Sequence, residues 1–224
     1  MLAAQSRPPI GFIVEGDAEY HCYPSLVARI AGASGFKIPR LNAGGCGAIV
    51  RDLQTQLRDI TIAEHPYQVV VTLDLLDVVQ AGLYPTCAEL VSALSAQSAA
   101  WLASSAADER VQPTPEKIKI VIQVPKFESW LVADIPGLAI AIGKEAPGLT
   151  SGNVDSEISD PVEWIRTVFG PEVRIKTPRT AREIVSRLDP DVIRANSHSF
   201  DKFHREVALS YHEWCTACGY SASA

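Results

Sequence analysis

The sequence predicts an α/β fold: a mainly parallel sheet flanked by helices, with a C-terminal helical appendage. Three observations predict it. In the first 135 residues, short apolar runs alternate with segments of helical spacing, which is the pattern of strand–helix–strand units. Two of those runs, YQVVVTLD (67–74) and KIKIVIQV (117–124), are continuous and β-branched, as parallel strands buried on both faces are. From about residue 136 no such run recurs. The expected division is an α/β core over residues 1–135 and a helical appendage over 136–224, packed on the core as one unit.

The elements follow in order. IGFIVE (10–15) reads as a buried strand. Asp17 suits the start of the next helix and Glu19 its first turn, where negative charge meets the positive end of the dipole. Pro24 predicts either a kink or a regular helix that starts near Tyr23. FKIPRLN (36–42) is a weak strand, followed by the glycine loop AGGCGA (43–48). Ile49, Val50, Leu53, Leu57 and Ile60 then fall on one helical face. After the strand 67–74, residues 85–103 are alanine-rich and helical. The strand 117–124 runs into PKFESWLVAD (125–134), a short helix begun by Pro125. Three helical segments end the chain: DPVEWIRTVF, TPRTAREIVSRL with Thr177 and Pro178 as cap and first residue, and SFDKFHREVALSYHEWC. Trp164 and Trp214 are expected to anchor them, and Trp130 to pack the FESWLVAD helix on the core.

Composition narrows the function. The chain has 224 residues, 47% hydrophobic and 21% charged, with a formal net charge of −6. That is enough apolar mass for a core, and the charge excludes a uniformly basic nucleic-acid coat while allowing a local basic patch. No run of about 18 apolar residues is present, so no membrane span is expected. The start, MLAAQSRPPIGF, does not read as a signal peptide. Five cysteines, an odd number at irregular spacing, point to a reducing cytoplasm.

The chemistry lies in the acids. Glu15 follows the first strand, Asp74 ends the strand 67–74, and Glu128 comes four residues after the strand 117–124. The carboxyl ends of parallel strands share one edge, so these three can converge. Carboxylates in one cleft repel unless a cation joins them, and hard oxygen ligands suit Mg²⁺ or Mn²⁺. Such an ion supports phosphoryl chemistry. Gly16 would let the backbone turn beside Glu15 with no side chain in the way. The plainer reading is that Asp and Glu simply favour helix N-termini.

VEGDAE after a strand, and a later strand ending in Asp, resemble the Toprim fold, the Rossmann-like catalytic core of topoisomerases, primases and OLD-type nucleases. GGCG before a helix, PKFESWLVAD, and the tail KTPRTAREIVSRLDP…SHSFDKFHREVAL are similar to a bacterial Toprim-like family of unknown function, often encoded beside ABC-type ATPases and associated with phage defence. The resemblance covers most of the chain. It implies a metal-dependent nuclease, with Glu15 as the Toprim glutamate, Asp74 as the first aspartate of the Asp-x-Asp pair and Glu128 as the third acid. The sequence departs from the pattern at the second aspartate, where Leu76 stands. The next acid is Asp77, one residue further, which on a strand would face the opposite side. In a loop it would still reach. The departure keeps a second implication open: a catalytically degenerate Toprim-like module that partners an ABC-type ATPase without cleaving nucleic acid.

Other features are weaker. Gly44, Gly45 and Gly47 would offer backbone N–H groups to a phosphate, or serve only as a turn; the P-loop pattern is absent. RIKTPRTAREIVSR carries Lys176, Arg179 and Arg182, candidates for a nucleic-acid backbone or for a solvated helix face. His204, His212, Cys215 and Cys218 include a C-x2-C of zinc-like spacing, though packing is the more common role of such residues.

Overall fold

The computed structural model describes residues 7–148, 152–175 and 177–220. Its centre is a four-stranded sheet built from β1 (Ile10–Val14), β2 (Arg40–Asn42), β3 (Gln68–Asp74) and β4 (Lys117–Gln123). The order is β2-β1-β3-β4 and every pairing is parallel. All residues of β1 and β3 are buried, as their unbroken apolar runs require. Alternate side chains go to opposite faces. Ile10, Phe12, Val14, Val70 and Val121 join one core, while Ile13, Val69, Val71, Leu73, Ile120 and Ile122 join the other.

The second of these cores is covered by α2 (Cys46–Glu64) and α4 (Cys87–Ser105). The first is covered by α1 (Asp17–Ile30) and by the helices that follow β4. These are α5 (Glu128–Val132), α6 (Ile135–Ile142), α7 (Val154–Glu157), α8 (Pro161–Phe169), α9 (Pro178–Val185), α10 (Pro190–Asn196) and α11 (His198–Cys218). A two-turn helix, α3 (Leu75–Gln80), follows β3 directly. Among the described residues no helix is long and apolar enough to cross a membrane.

Several local expectations change. Pro24 lies inside α1, which runs unbroken from Asp17; burial of Cys22, Tyr23, Leu26 and Val27 on one face holds it against the lost N–H. The weak strand shrinks to Arg40–Asn42, because Pro39 can accept from Phe12 N–H but has no N–H to give the ladder. The helix after β4 begins at Glu128, not Pro125. Pro125 O is taken by Leu76 N–H at 3.0 Å, so the turn is pinned to α3. Residues 135–142, to which no element is assigned from sequence, form α6. Its sequence IPGLAIAI has no polar face, so it carries no readable period. Its start is fixed by Asp134, which accepts from Gly137 N–H and Asp189 N–H. The Thr177 cap is present, accepting from Thr180 N–H at 3.2 Å.

Trp130 sits among Tyr23, Phe127, Phe200 and Phe203, and its Nε1–H donates to Ser199 Oγ at 2.9 Å. Burying that indole contributes several kcal/mol, about 3–5 by truncation, so α5 is locked to α1 and α11. Trp164 packs on Phe169, and Trp214 donates to Arg7 O. Five cysteines are present and none forms a disulfide.

Candidate metal centre

The chain moves from β1 to the edge strand β2 and then back across to β3. Connections thus leave β1 and β3 in opposite directions, and a crevice opens above their carboxyl ends. Glu15 and Asp74 are the residues at that crevice. Asp74 N–H donates to Glu15 Oε2 at 3.0 Å, and Asp74 Oδ1 accepts Phe127 N–H at 2.8 Å. These two bonds tie the ends of β1, β3 and β4 together through the acids.

Asp77 joins them. β3 ends at Asp74 and α3 starts at Leu75, so the strand alternation that would have turned Asp77 away does not apply. In the first turn of α3 the carboxylate comes back over the strand end. Ligand oxygens of Glu15, Asp74 and Asp77 all lie within 4.8 Å of one another. Among the described residues this is the only such group of three or more His, Cys, Asp or Glu side chains. The zinc-like set His204, His212, Cys215 and Cys218 does not come together in this way.

Two further acids face the cluster. Glu128 opens α5, half-buried, outside the three-oxygen group but close enough to raise the pKa of both Glu19 and Asp74. Glu19, on α1 one turn beyond Glu15, is 5% exposed. Its pKa is pushed up to about 7, first by burial and then by Glu15, Glu128 and Asp77. Burial also raises Glu15, against the Asp74 N–H bond, and raises Asp74 well above the carboxylate range with help from Glu19, Glu15 and Glu128. The shared cause is carboxylates crowded away from water. Among the described residues one cation pairs with this cluster: Lys126 Nζ, 16% exposed, paired with Asp77 Oδ1.

The donor set fits a hard divalent cation. All donors are carboxylate oxygens, and carboxylates repel until a cation or protons neutralise them. Oxygens around a Mg²⁺-sized ion can lie up to about 4.2 Å apart, so three oxygens within 4.8 Å need shift by less than about 1 Å. Beneath them the floor is polar and buried: Tyr23 O–H donates to Thr72 Oγ1 at 3.0 Å and accepts from Gln123 Nε2 at 3.2 Å.

Glu19 and Lys126 were not assigned to the site from sequence. Glu19 stood four residues after Glu15, a spacing that puts both on one helix face, but a first-turn acid also suits a helix dipole. Lys126 gave no signal beyond being next to Phe127 and Glu128. Gly16 has extended backbone (φ −148°), and a Cβ there would meet Glu19 Oε2 at an ordinary 3.5 Å. Nothing about the turn itself demands glycine at Gly16.

In the glycine loop, Gly44 and Gly45 have φ of 78° and 119°. Gly45 N–H donates to Glu15 O, and Gly44 N–H to Asn42 Oδ1. The Cys46 amide lowers the pKa of the Glu15 carboxyl, against burial, and the Gly47 amide does so for the Cys46 thiol. These amides hold Glu15 and the start of α2. Arg179, Arg182 and Glu183 of α9, with Ser186 just after it, line a cavity of about 470 Å³ with His21 of α1. Arg179 pairs with Glu183 at 3.0 Å, and Arg182 has no ion-pair partner among the described residues. Lys176 lies outside the described residues.

The chain belongs to the family described as a domain of unknown function, DUF4276, which matches residues 14–208. No curated protein matches the sequence. Among solved structures, the C-terminal region of the Burkholderia pseudomallei OLD protein is similar at 16% identity, with a TM-score of 0.40, over 90% of this chain and 99% of that one.

Proposed function

We propose that the protein is a divalent-metal-dependent phosphodiesterase acting on nucleic acid. The observation that carries this reading is the convergence of Glu15, Asp74 and Asp77 oxygens within 4.8 Å at the carboxyl edge of the sheet. These residues, with Glu128 closing the α5 side, would hold Mg²⁺ or Mn²⁺. The bound ion would polarise a phosphodiester and lower the pKa of a water. Glu19, buried against the cluster, would be the carboxylate that takes a proton from that water. Arg182 of α9 and His21 of α1, which line one cavity, would receive a backbone phosphate. The motif resemblance to Toprim cores supports the same class and implies a role in phage defence.

One observation favours the alternative reading, a binding module for an ABC-type ATPase. Leu76 stands where the Toprim pattern has its second aspartate, and its N–H is committed to Pro125 O. Titration of Mn²⁺ into the protein and into Glu15→Gln, with cleavage assays on DNA and RNA, separates the readings. Saturable binding lost in the variant, together with Mn²⁺-dependent cleavage, is expected. A stable ATPase complex with no cleavage under any divalent ion would replace the enzyme reading with the module.

A further inference from the structure

The number of cations the cluster accepts is set by a residue of the chain itself. Glu15, Glu19, Asp74, Asp77 and Glu128 bring five carboxyl groups to one crevice. Glu19 in particular is 5% exposed, faces the cluster, and makes no hydrogen bond to another residue's side chain or backbone among the described residues. By charge alone, five carboxylates would accommodate two divalent ions, which in paired sites lie about 3.5–4 Å apart. Lys126 changes this. It is carried by the β4–α5 turn, itself fixed by Phe127 N–H on Asp74 Oδ1 and by Pro125 O on Leu76 N–H. Its ammonium pairs with Asp77, and Asp74, Glu128 and Glu15 also act on it. The ion pair with Asp77 keeps it in the ammonium form that lysine ordinarily has.

We infer that Lys126 is a built-in cation occupying the second cation position of the cluster, so that Glu15, Asp74 and Asp77 accept a single divalent ion. This rests on the metal-binding reading above. An ion held by Asp77 and Asp74 on the Lys126 side would lie within a few ångströms of the ammonium, where like charges repel strongly in a half-buried crevice. On the Glu15 side, the same ion shares Asp77 with Lys126 and meets no further cation among the described residues. The lysine thus also orients Asp77, because one oxygen is held by the ammonium and the other is left for the metal.

The test is isothermal titration of Mn²⁺ into the wild-type protein, Lys126→Ala and Lys126→Arg, with circular dichroism to confirm folding. One equivalent is expected for the wild type and for Lys126→Arg, and two for Lys126→Ala. In EDTA, Lys126→Ala should melt below the wild type, and its Mn²⁺-induced rise in melting temperature should exceed the wild-type rise. Two equivalents in the wild type overturn the inference, as does a single unchanged equivalent in folded Lys126→Ala, or no saturable binding at all. If the alanine variant does not fold, the wild-type stoichiometry and Lys126→Met decide. One equivalent without nucleic-acid cleavage would sink the phosphodiesterase reading and leave this one standing; two equivalents with cleavage would do the reverse.

Discussion

The two ends of the same strands are built on opposite electrostatic principles. At the amino ends of β3 and β4, each charge has a partner. Arg7 donates to the carbonyls of His65, Pro66 and Thr114. Gln68 accepts from Ser210 and donates to Glu213, which also pairs with Lys117. At the carboxyl ends, Glu15, Glu19, Asp74, Asp77 and Glu128 face each other with Lys126 between them. Burial at the first end is compensated for Arg7, Gln68 and Lys117, each of which is paired there. Burial at the second raises the energy of the fold, since like charges are desolvated together. A cluster of that kind persists only where something outside the fold neutralises it, a proton or a cation.

The largest effect is expected from the helix that touches both ends. α11 brings Ser199 to Trp130 near the acids and Glu213 to Lys117 at the far end. It also buries Phe200, Phe203 and Val207 completely. Losing three such side chains removes roughly 2 kcal/mol or more each, comparable with a whole-domain stability of about 5–15 kcal/mol. A chain that stops before α11 should show no cooperative unfolding transition. A sharp melt in calorimetry would show the α/β core to be an independent unit.

Next comes a substitution at the paired end. Arg7→Ala strips three buried or half-buried carbonyls of their donor. A loss of about 3 kcal/mol in urea unfolding is expected, with Mn²⁺ affinity unchanged. A change in metal binding would mean that the two ends are coupled.

At the unpaired end the sign reverses with pH. Glu19 has its pKa raised from 4.5 to about 7 in the folded protein. The native state therefore holds a proton that the unfolded chain has lost between those values, and metal-free stability must fall as pH rises through that window. Asp74, also raised, acts in the same direction. The expected loss is on the order of 2 kcal/mol, less than the full shift converts to because Lys126 and water relieve part of the repulsion. Glu19→Gln should flatten the profile, measured as melting temperature in EDTA from pH 4.5 to 7.5. With Mn²⁺ present the trend should invert, because the ion competes with protons for the same oxygens. A profile in EDTA that rises with pH would contradict the crowding of acids described here.

The smallest effect belongs to Glu213→Gln. The side chain is 27% exposed, so loss of its charge should lower stability by about 0.5 kcal/mol at low salt and by less at high salt. A salt-independent loss would indicate that the hydrogen bond to Gln68, not the charge, is what matters.

The α/β class was legible because its signals are local. QVVVTLD and KIKIVIQ carry their burial on both faces as an unbroken run, and helices such as α2 show their period in Ile49, Leu53, Leu57 and Ile60. The short helices α6, α7 and α10 were not, since four to eight residues span too few turns to show a period. The meeting of Glu15 and Asp74 was legible because acids at strand ends in a parallel sheet share an edge whatever the packing. By itself, then, the sequence determined the sheet, its hydrophobic faces and the edge at which the acids gather. Only the tertiary structure decided which acids meet. Asp77 returns to the site because the chain leaves β3 for α3 one residue after Asp74. Glu19 turns inward because α1 presents its Cys22–Tyr23 face to the core. Lys126 enters because the β4–α5 turn is tied to Asp74. Each depends on where a helix starts relative to a strand across the crevice, and that is fixed by packing between segments far apart in sequence, not by local pattern.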